Sequence, residues 1–373
     1  MMTSKYNKGF SLIELMVAMV LGLMLSAGIF TVFSGNKQST DLTTTMADMQ
    51  ENARFALNQL SGDIRMAGFQ GCNDIGRGGP NILANNAPTN NLTLSATTGS
   101  VVNSASSWTP ESALGAAVPV QNQNAVGGTH ALSLQFGSAA TYPLTQHVGN
   151  GGVPNRSANI RVDTSDGVSS EPFNMQAGEF AIISNCLGAD LIQMTSVSNS
   201  GTVADIAHAN SGNSSNLLSI DYLNTPSTKF MRFNSNVYYV GTTGVTAADG
   251  TQLTGLYKQT LPYTAANPPI LMVPGVENMR ILFGVRTGAN MIRFVTPNGA
   301  GIDPENIESV RIGLLMASED EIAENEDDKT YNLAGQQIVA AGGGGAGADT
   351  HPRDNRFRLA FNTTVKIRNR RIE

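Results

Sequence analysis

The chain begins with an apolar run that is long enough to cross a membrane. After the polar residues 1–9, positions 10–33 are apolar or small and contain one charged side chain, Glu14. A helix of 24 residues reaches about 36 Å, which exceeds the hydrocarbon thickness of a bilayer. Because Lys5 and Lys8 precede the run, we expect a single-pass anchor with its N-terminus in the cytoplasm and the rest of the chain outside.

A second helical pattern follows the apolar run directly. Apolar side chains recur in steps of three and four, as expected for one face of an amphipathic helix. This stripe consists of Leu42, Met46, Met49, Ala53, Leu57, Leu60, Ile64 and Ala67. Gly68 and Gly71 provide a stop, so one helix is predicted from about Phe10 to Ala67.

Glycines inside this helix are candidate points of local stretching, since each costs a helix about 1 kcal/mol relative to alanine. They are Gly22, Gly28 and Gly35. No proline falls in the segment, so a sharp kink is not predicted.

The middle of the chain is typical of a β-rich domain. Short apolar runs separated by Asn, Gly, Ser and Thr favour strands. The candidate strands are Ala131–Phe136, Glu179–Ser184, Leu191–Val197, Leu217–Tyr222, Val237–Val240 and Leu256–Leu261. Between the helix and these strands, Asn81–Val126 is predicted to be an irregular surface insertion.

Apolar and polar positions alternate most clearly in the C-terminal third, which predicts antiparallel strands with one buried face. The apolar positions are Met279, Ile281, Phe283 and Val285, then Val310, Ile312, Leu314 and Met316, and finally Phe357, Leu359, Phe361, Val365 and Ile367. This face is the natural partner of the helix stripe, so the predicted fold class is α+β. Residues 319–355 hold an acidic cluster and four consecutive glycines, and we expect an exposed, mobile loop there.

Composition and charge narrow the functional classes. The chain has 373 residues and a formal net charge of −6, and seven of its acidic residues fall between Glu319 and Asp328. The rest of the chain is close to neutral, so the composition does not indicate attraction to nucleic acid. The acidic cluster lacks the ligand spacing of a calcium loop, and a solvated loop is favoured over a metal site there.

No catalytic or cofactor-binding motif is present. We find no P-loop, HExxH, GxSxG or EF-hand pattern, and we predict neither an enzyme nor a cofactor. Surface or turn positions are expected for the histidines, His130, His147, His208 and His351. A triad assembled only in space is the alternative.

Cationic residues concentrate near the C-terminus. They are Arg353, Arg356, Arg358, Lys366, Arg368, Arg370 and Arg371. Most of those at even positions fall on the predicted polar face of the last strand. A solvated face or a protein contact is favoured, and a DNA-contacting stripe is the alternative.

The chain has two cysteines, Cys72 and Cys186, and neither lies in a metal-binding pattern. For an exported domain a disulfide is the expected state, and it would tie the end of the helix to the β region. Two buried free thiols are the alternative.

The N-terminal junction resembles a known processing signal. Residues 8–18, KGFSLIELMVA, are similar to the class III signal of type IV prepilins. The resemblance implies that a prepilin peptidase cuts between Gly9 and Phe10 and N-methylates Phe10. It also implies that Glu14 meets the Phe10 amine of a neighbouring subunit in the dry core of a filament. A glutamate that snorkels to the membrane interface is the alternative.

Later segments resemble the PilW family of minor pilins. They are AGFQGC, THALSLQFG, the cysteine in AIISNCLGAD, VENMRILFGV, VRIGLLMAS and TTVKIRNR. Asn185 stands where the family often has an aspartate, which affects only a local polar contact. The resemblance implies a pilin-like fold, a long N-terminal helix packed on an antiparallel sheet with an enlarged β-rich C-terminal domain. Its parts would be a leader (1–9), a transmembrane and filament-core half-helix (10–34), an amphipathic half-helix (35–68) and a periplasmic or extracellular globular domain (69–373).

By this resemblance the protein is a minor pilin that primes or caps a type IV pilus, with roles in pilus biogenesis, twitching motility, adhesion or DNA uptake. Expected partners are other minor and major pilins, a tip-associated adhesin, the inner-membrane assembly platform and the prepilin peptidase. It would be held in the inner membrane by residues 10–33 before it joins the pilus. The alternatives are a J-like pseudopilin of a type II secretion system and a single-pass membrane-anchored binding module or enzyme.

Overall fold

The structure of the protein is a computed structural model. It describes residues 11–73, 79–85, 87, 97–105, 107–109, 124–150, 153–165, 167–261, 267–288, 291–299, 302, 306–343 and 349–369. The chain divides into two compact units, Met1–Gln50 and Glu51–Glu373. We refer to the second as the globular unit.

One helix, α1 (Leu12–Met66), contributes residues to both units. Inside the globular unit it buries one face, made of Ala53, Ala56, Leu60, Ile64 and, just after its end, Ala67. The predicted stripe is confirmed there except at Leu57, which is half-buried beside the buried Ala56. The helix ends at the predicted stop, because Gly68 has a φ of +77°, a conformation that suits glycine. Phe10, the predicted first residue, lies outside the described residues.

The strands follow α1 along the chain. They are β1 (Asn81–Ile82), β2 (Thr97–Ser104), β3 (Ser107–Thr109), β4 (Thr129–Pro143), β5 (Gly149–Asn150), β6 (Val153–Pro154), β7 (Ile160–Asp163), β8 (Phe180–Ser184), β9 (Ala189–Gln193), β10 (Ser196–Ser200), β11 (Val203–Ala207), β12 (Lys229–Thr246), β13 (Gln252–Thr260), β14 (Ile270–Pro274), β15 (Val276–Gly288), β16 (Met291–Val295), β17 (Ile307–Glu321), β18 (Tyr331–Leu333), β19 (Gln336–Ala340), β20 (Thr350–His351) and β21 (Arg356–Lys366). Four of the strands predicted in the middle of the chain fall in β4, β8, β12 and β13, and Leu191–Val197 is divided between β9 and β10.

The strands form two main sheets. Sheet I has the order β1-β9-β8-β12-β4-β2-β3, with β13 paired to β12 and β14 paired to β13. Its pairs are antiparallel except for β1 and β9. Sheet II has the order β16-β15-β17-β21 and is antiparallel throughout. Smaller sheets are β10-β11-β7, β18-β19-β20 and β5-β6. One long helix with a large β-rich unit confirms the predicted α+β class.

The two main sheets meet at β4 and β15, where His130 of β4 lies against Ile281 of β15. A guanidinium only donates hydrogen bonds, so Nε2 of His130 accepts from Nη1 of Arg280 at 3.2 Å. On the other side of the ring, Nδ1 of His130 lies 3.0 Å from the backbone nitrogen and 3.2 Å from the carbonyl oxygen of Ile281. The contact between the sheets is therefore polar as well as apolar.

Most of the apolar positions that were predicted to face the core of sheet II are buried. All eight apolar positions predicted on β15 and β17 are buried. On the last strand the two positions near its C-terminal end, Val365 and Ile367, are also buried. The three nearer its start are half-buried: Phe357, Leu359 and Phe361. The opposite face of β21 is covered as well, since Arg356 and Arg358 are buried there.

Two expectations for the middle of the chain were wrong. The described part of Asn81–Val126 is not an irregular insertion, because β1, β2 and β3 lie within it and Trp108 is 4% exposed. The segment Leu217–Tyr222 forms no strand. The backbone N–H of Ser219 donates to the Asp190 carboxylate at 3.0 Å, so a side chain takes the place of a neighbouring strand.

The segment 319–355 was predicted to be a mobile loop, and this was wrong for its described residues. It continues β17 and contains β18, β19 and β20, which form a small sheet. Leu333 and Ile338 are fully buried and pack with Leu315 of β17. Glycine and charge favour a loop locally, but these two side chains find an apolar partner on sheet II. The glycine-rich stretch 344–348 lies outside the described residues.

Cys72 and Cys186 form a disulfide, as predicted, with Cα atoms 4.7 Å apart. The bridge joins the segment after α1 to the turn between β8 and β9. Asn185 shapes that turn, since its Oδ1 accepts from the backbone N–H groups of Leu187 and Gly188 at 2.8 and 3.1 Å. A disulfide of this kind stabilises a fold by about 2–4 kcal/mol.

Candidate assembly interface

The N-terminal half of α1 carries a continuous exposed apolar surface. Every residue from Leu12 to Phe33 is exposed, and the exposed fractions of the large side chains run from 51% at Val20 to 79% at Leu12. The helix is long and apolar enough to cross a membrane, by length and composition. A soluble surface rarely shows an apolar patch of this extent. We call Leu12–Phe33 the assembly surface, because lipid or other helices must cover it.

Glu14, at the start of the assembly surface, is hydrogen-bonded within its own helix. Its Oε2 accepts from the backbone N–H and from the hydroxyl of Ser11, both at 2.9 Å. The Ser11 hydroxyl oxygen in turn accepts from the N–H of Glu14 at 3.3 Å. This is a capping box, and it satisfies N–H groups that the first turn of a helix leaves without partners. The sequence analysis missed this role, although the spacing of serine and glutamate in SLIE signals it.

Gly9 and Phe10, the predicted processing positions, lie outside the described residues. The pairing of Glu14 with the Phe10 amine of a neighbouring subunit therefore stays a prediction. The negative charge at the first turn of α1 also stabilises the positive end of the helix dipole.

Three glycines in the N-terminal half of α1 have room for a larger side chain among the described residues. A Cβ atom added at Gly22, Gly28 or Gly35 would meet nothing within 4 Å. Near them, the hydroxyl of Thr31 donates to the carbonyl oxygen of Gly28 at 2.8 Å, a bond that tends to bend helices. These positions stay candidate points of local stretching.

The C-terminal half of α1 is held to sheet I by one carboxylate, Asp63. Its Oδ2 accepts hydrogen bonds from Asn236 Nδ2 at 2.7 Å, from Lys258 Nζ at 3.1 Å and from the Tyr238 hydroxyl. Only 14% of the Asp63 side chain is exposed. Burial, and then the negative charge of Asp63, raise the pKa of Tyr238, so its hydroxyl remains a donor. In the sequence, the only sign of this contact is that an acidic residue, Asp63, stands next to Ile64 of the apolar stripe.

A residue after β21, Asn369, caps the C-terminus of the same helix. Nδ2 of Asn369 donates to the carbonyl oxygens of Arg65 and Met66, both at 3.2 Å. The last carbonyls of a helix have no partners within it, and a side chain 304 positions away supplies one for Arg65. The globular unit thus holds its part of α1 by a stripe, a carboxylate and a cap.

Arg358 is the centre of a buried ion cluster. Arg356 and Arg358 were expected on a solvated strand face, and this was wrong because both side chains are buried. The Arg358 side chain is 0% exposed. Its Nε donates to Glu277 at 2.7 Å, and its Nη1 lies 2.7 Å from Asp354 and 3.4 Å from Asp327. Burial opposes its charge, but the hydrogen bonds and charges of Glu277 and Asp354 outweigh burial and raise its pKa.

The candidate DNA-contacting stripe is not assembled by the described residues. Arg356 and Arg358 are buried in ion pairs, and Arg353 lies 3.5 Å from Glu326. Lys366 and Arg368 are exposed. The remaining members, Arg370 and Arg371, lie outside the described residues.

Three histidines are buried, contrary to the expectation of surface or turn positions. They are His130, His208 and His351, which are 2%, 3% and 2% exposed. Each ring contacts a backbone carbonyl oxygen; for example, Nε2 of His208 lies 2.9 Å from that of Ala158. Burial, followed by the charge of Arg280, lowers the pKa of His130 to about 3. Among the described residues, no three His, Cys, Asp or Glu side chains gather to hold a metal ion.

Comparisons with known proteins match the two ends of the chain. A family model described as the prokaryotic N-terminal methylation motif matches residues 4–30, a range that includes Gly9, Phe10 and Glu14. A model described as type IV pilus-assembly protein W matches residues 237–369, from β12 to the residues after β21. No curated protein matches the chain, and no solved structure matches it.

The second match covers sheet II, the Arg358 cluster and the Asn369 cap. The first covers the start of the assembly surface. A membrane-anchored pilin that is assembled into a pilus has both regions, and its family consists of structural, pilin-type subunits. The two matches together support a type IV pilus minor pilin of the PilW family.

Proposed function

We propose that this minor pilin starts the assembly of a type IV pilus and stays at its tip. The observation that carries the proposal is the assembly surface, Leu12–Phe33, every residue of which is exposed. Burying one large apolar side chain contributes about 1.5–3 kcal/mol. Lipid covers the surface in the inner membrane, and helices of other pilins replace the lipid when the subunit leaves it.

The size of the globular unit supports a position at the tip. It contains both main sheets and the three smaller ones. A subunit inside a shaft has neighbours above and below, and repeated large units crowd one another. The end of a filament has no subunit above it, so a large unit fits there.

Processing at the N-terminus belongs to the same proposal. A prepilin peptidase removes residues 1–9 and N-methylates Phe10, and the new amine reaches the Glu14 carboxylate of a neighbour. Both hydrogen bonds that Glu14 accepts from Ser11 go to Oε2. The neighbour's amine therefore reaches Oε1, and the pair neutralises charge where little water is present.

The proposal includes partners and roles. The subunit joins other minor and major pilins, a tip-associated adhesin and the inner-membrane assembly platform, and it serves pilus biogenesis, with twitching motility, adhesion or DNA uptake as consequences. The match over residues 237–369 supports a pilus over a J-like pseudopilin of a secretion system. The motif at residues 4–30 supports a processed prepilin over a permanently anchored binding module or enzyme.

Deletion of the gene and complementation test the proposal. We expect the deletion strain to lose surface pili and twitching, the wild-type gene to restore them, and Glu14→Ala not to restore them. Ser11→Ala is the matched control, because it removes the capping partner and keeps the carboxylate, and we expect most pili to return. Normal piliation with Glu14→Ala contradicts the proposal. Intact-mass measurement of the membrane form should show loss of residues 1–9 and one added methyl group.

A further inference from the structure

We draw no further inference here: the strongest candidate, the outer edge of sheet II at β16, where the apolar side chains of Met291 and Ile292 are 65% and 47% exposed, carries nothing because nothing in the structure shows what covers it.

Discussion

The assembly surface and the globular unit differ in the burial of their apolar and charged side chains. From Leu12 to Phe33 the apolar side chains are exposed, and among the described residues the one carboxylate, Glu14, accepts its hydrogen bonds from Ser11, three positions away. In the globular unit most of the large apolar side chains that the structure describes are buried, and even the guanidinium of Arg358 is fully buried and pairs with three carboxylates. The first region is completed by other molecules, whereas the second is complete in one chain.

The two regions also differ in how far apart along the chain two hydrogen-bonded residues can be. Arg358 pairs with Glu277, which is 81 positions away, and Asn369 caps α1 at Arg65, which is 304 positions away. Folding stability should therefore depend on the globular unit, and assembly should depend on the assembly surface. Three predictions test this division.

The largest effect is expected at Arg358. Arg358→Met leaves three carboxylates buried without their cation, and the free energy of unfolding should fall by about 3–5 kcal/mol. Arg161→Met is the control, since Arg161 is 49% exposed and pairs with Asp205 on the surface. It should cost less than about 1 kcal/mol. Urea unfolding of the full chain in detergent measures both values, and equal losses would show that the cluster does not stabilise the fold.

A smaller effect, of about 3 kcal/mol, is expected from pH through His130. The pKa of a free histidine is 6.5, whereas burial and Arg280 hold the pKa of His130 at about 3. Between these values the unfolded chain binds more protons, so this part of the stability is complete above pH 6.5 and is lost as the pH falls toward 3.

Variants isolate this pH effect from the titration of carboxyl groups. The loss of unfolding free energy between pH 7 and pH 4 should be smaller by about 3 kcal/mol in His130→Gln than in the wild type. An unchanged loss in His130→Gln would contradict the neutral, buried state of its ring.

The smallest effect is expected from two glycine substitutions in α1. An added Cβ meets nothing within 4 Å at Gly28 or at Gly62, so both alanines fit. Gly62→Ala should raise the unfolding free energy of the globular unit by up to about 1 kcal/mol, because Gly62 lies in the packed part of the helix. Gly28→Ala should leave it unchanged and reduce the number of surface pili, if Gly28 stretches during assembly. A shift of the unfolding midpoint by Gly28→Ala would break the division between the two regions.

Local patterns predicted the regular elements well. The helix stripe through Leu60 and Ile64 and the stop at Gly68 follow from neighbours within one or two turns, and both appear in the structure. The alternation on β15 and β17 likewise depends only on the pleat of a strand. The loop predicted at 319–355 failed because Leu333 and Ile338 are covered by sheet II, and nothing in their own segment indicates that cover.

The assembly surface, the position of Glu14 and the class of the fold could be predicted from the residues alone, because period, length and the prepilin motif are properties of adjacent residues. The burial of Arg358 and the contact by which Asp63 holds the helix to sheet I follow from the folded structure alone. A polar side chain is buried when partners reach it to offset its loss of hydration. Apart from Asp354, which is four positions from Arg358, those partners lie tens to hundreds of positions away, so the chain must fold before they can be identified.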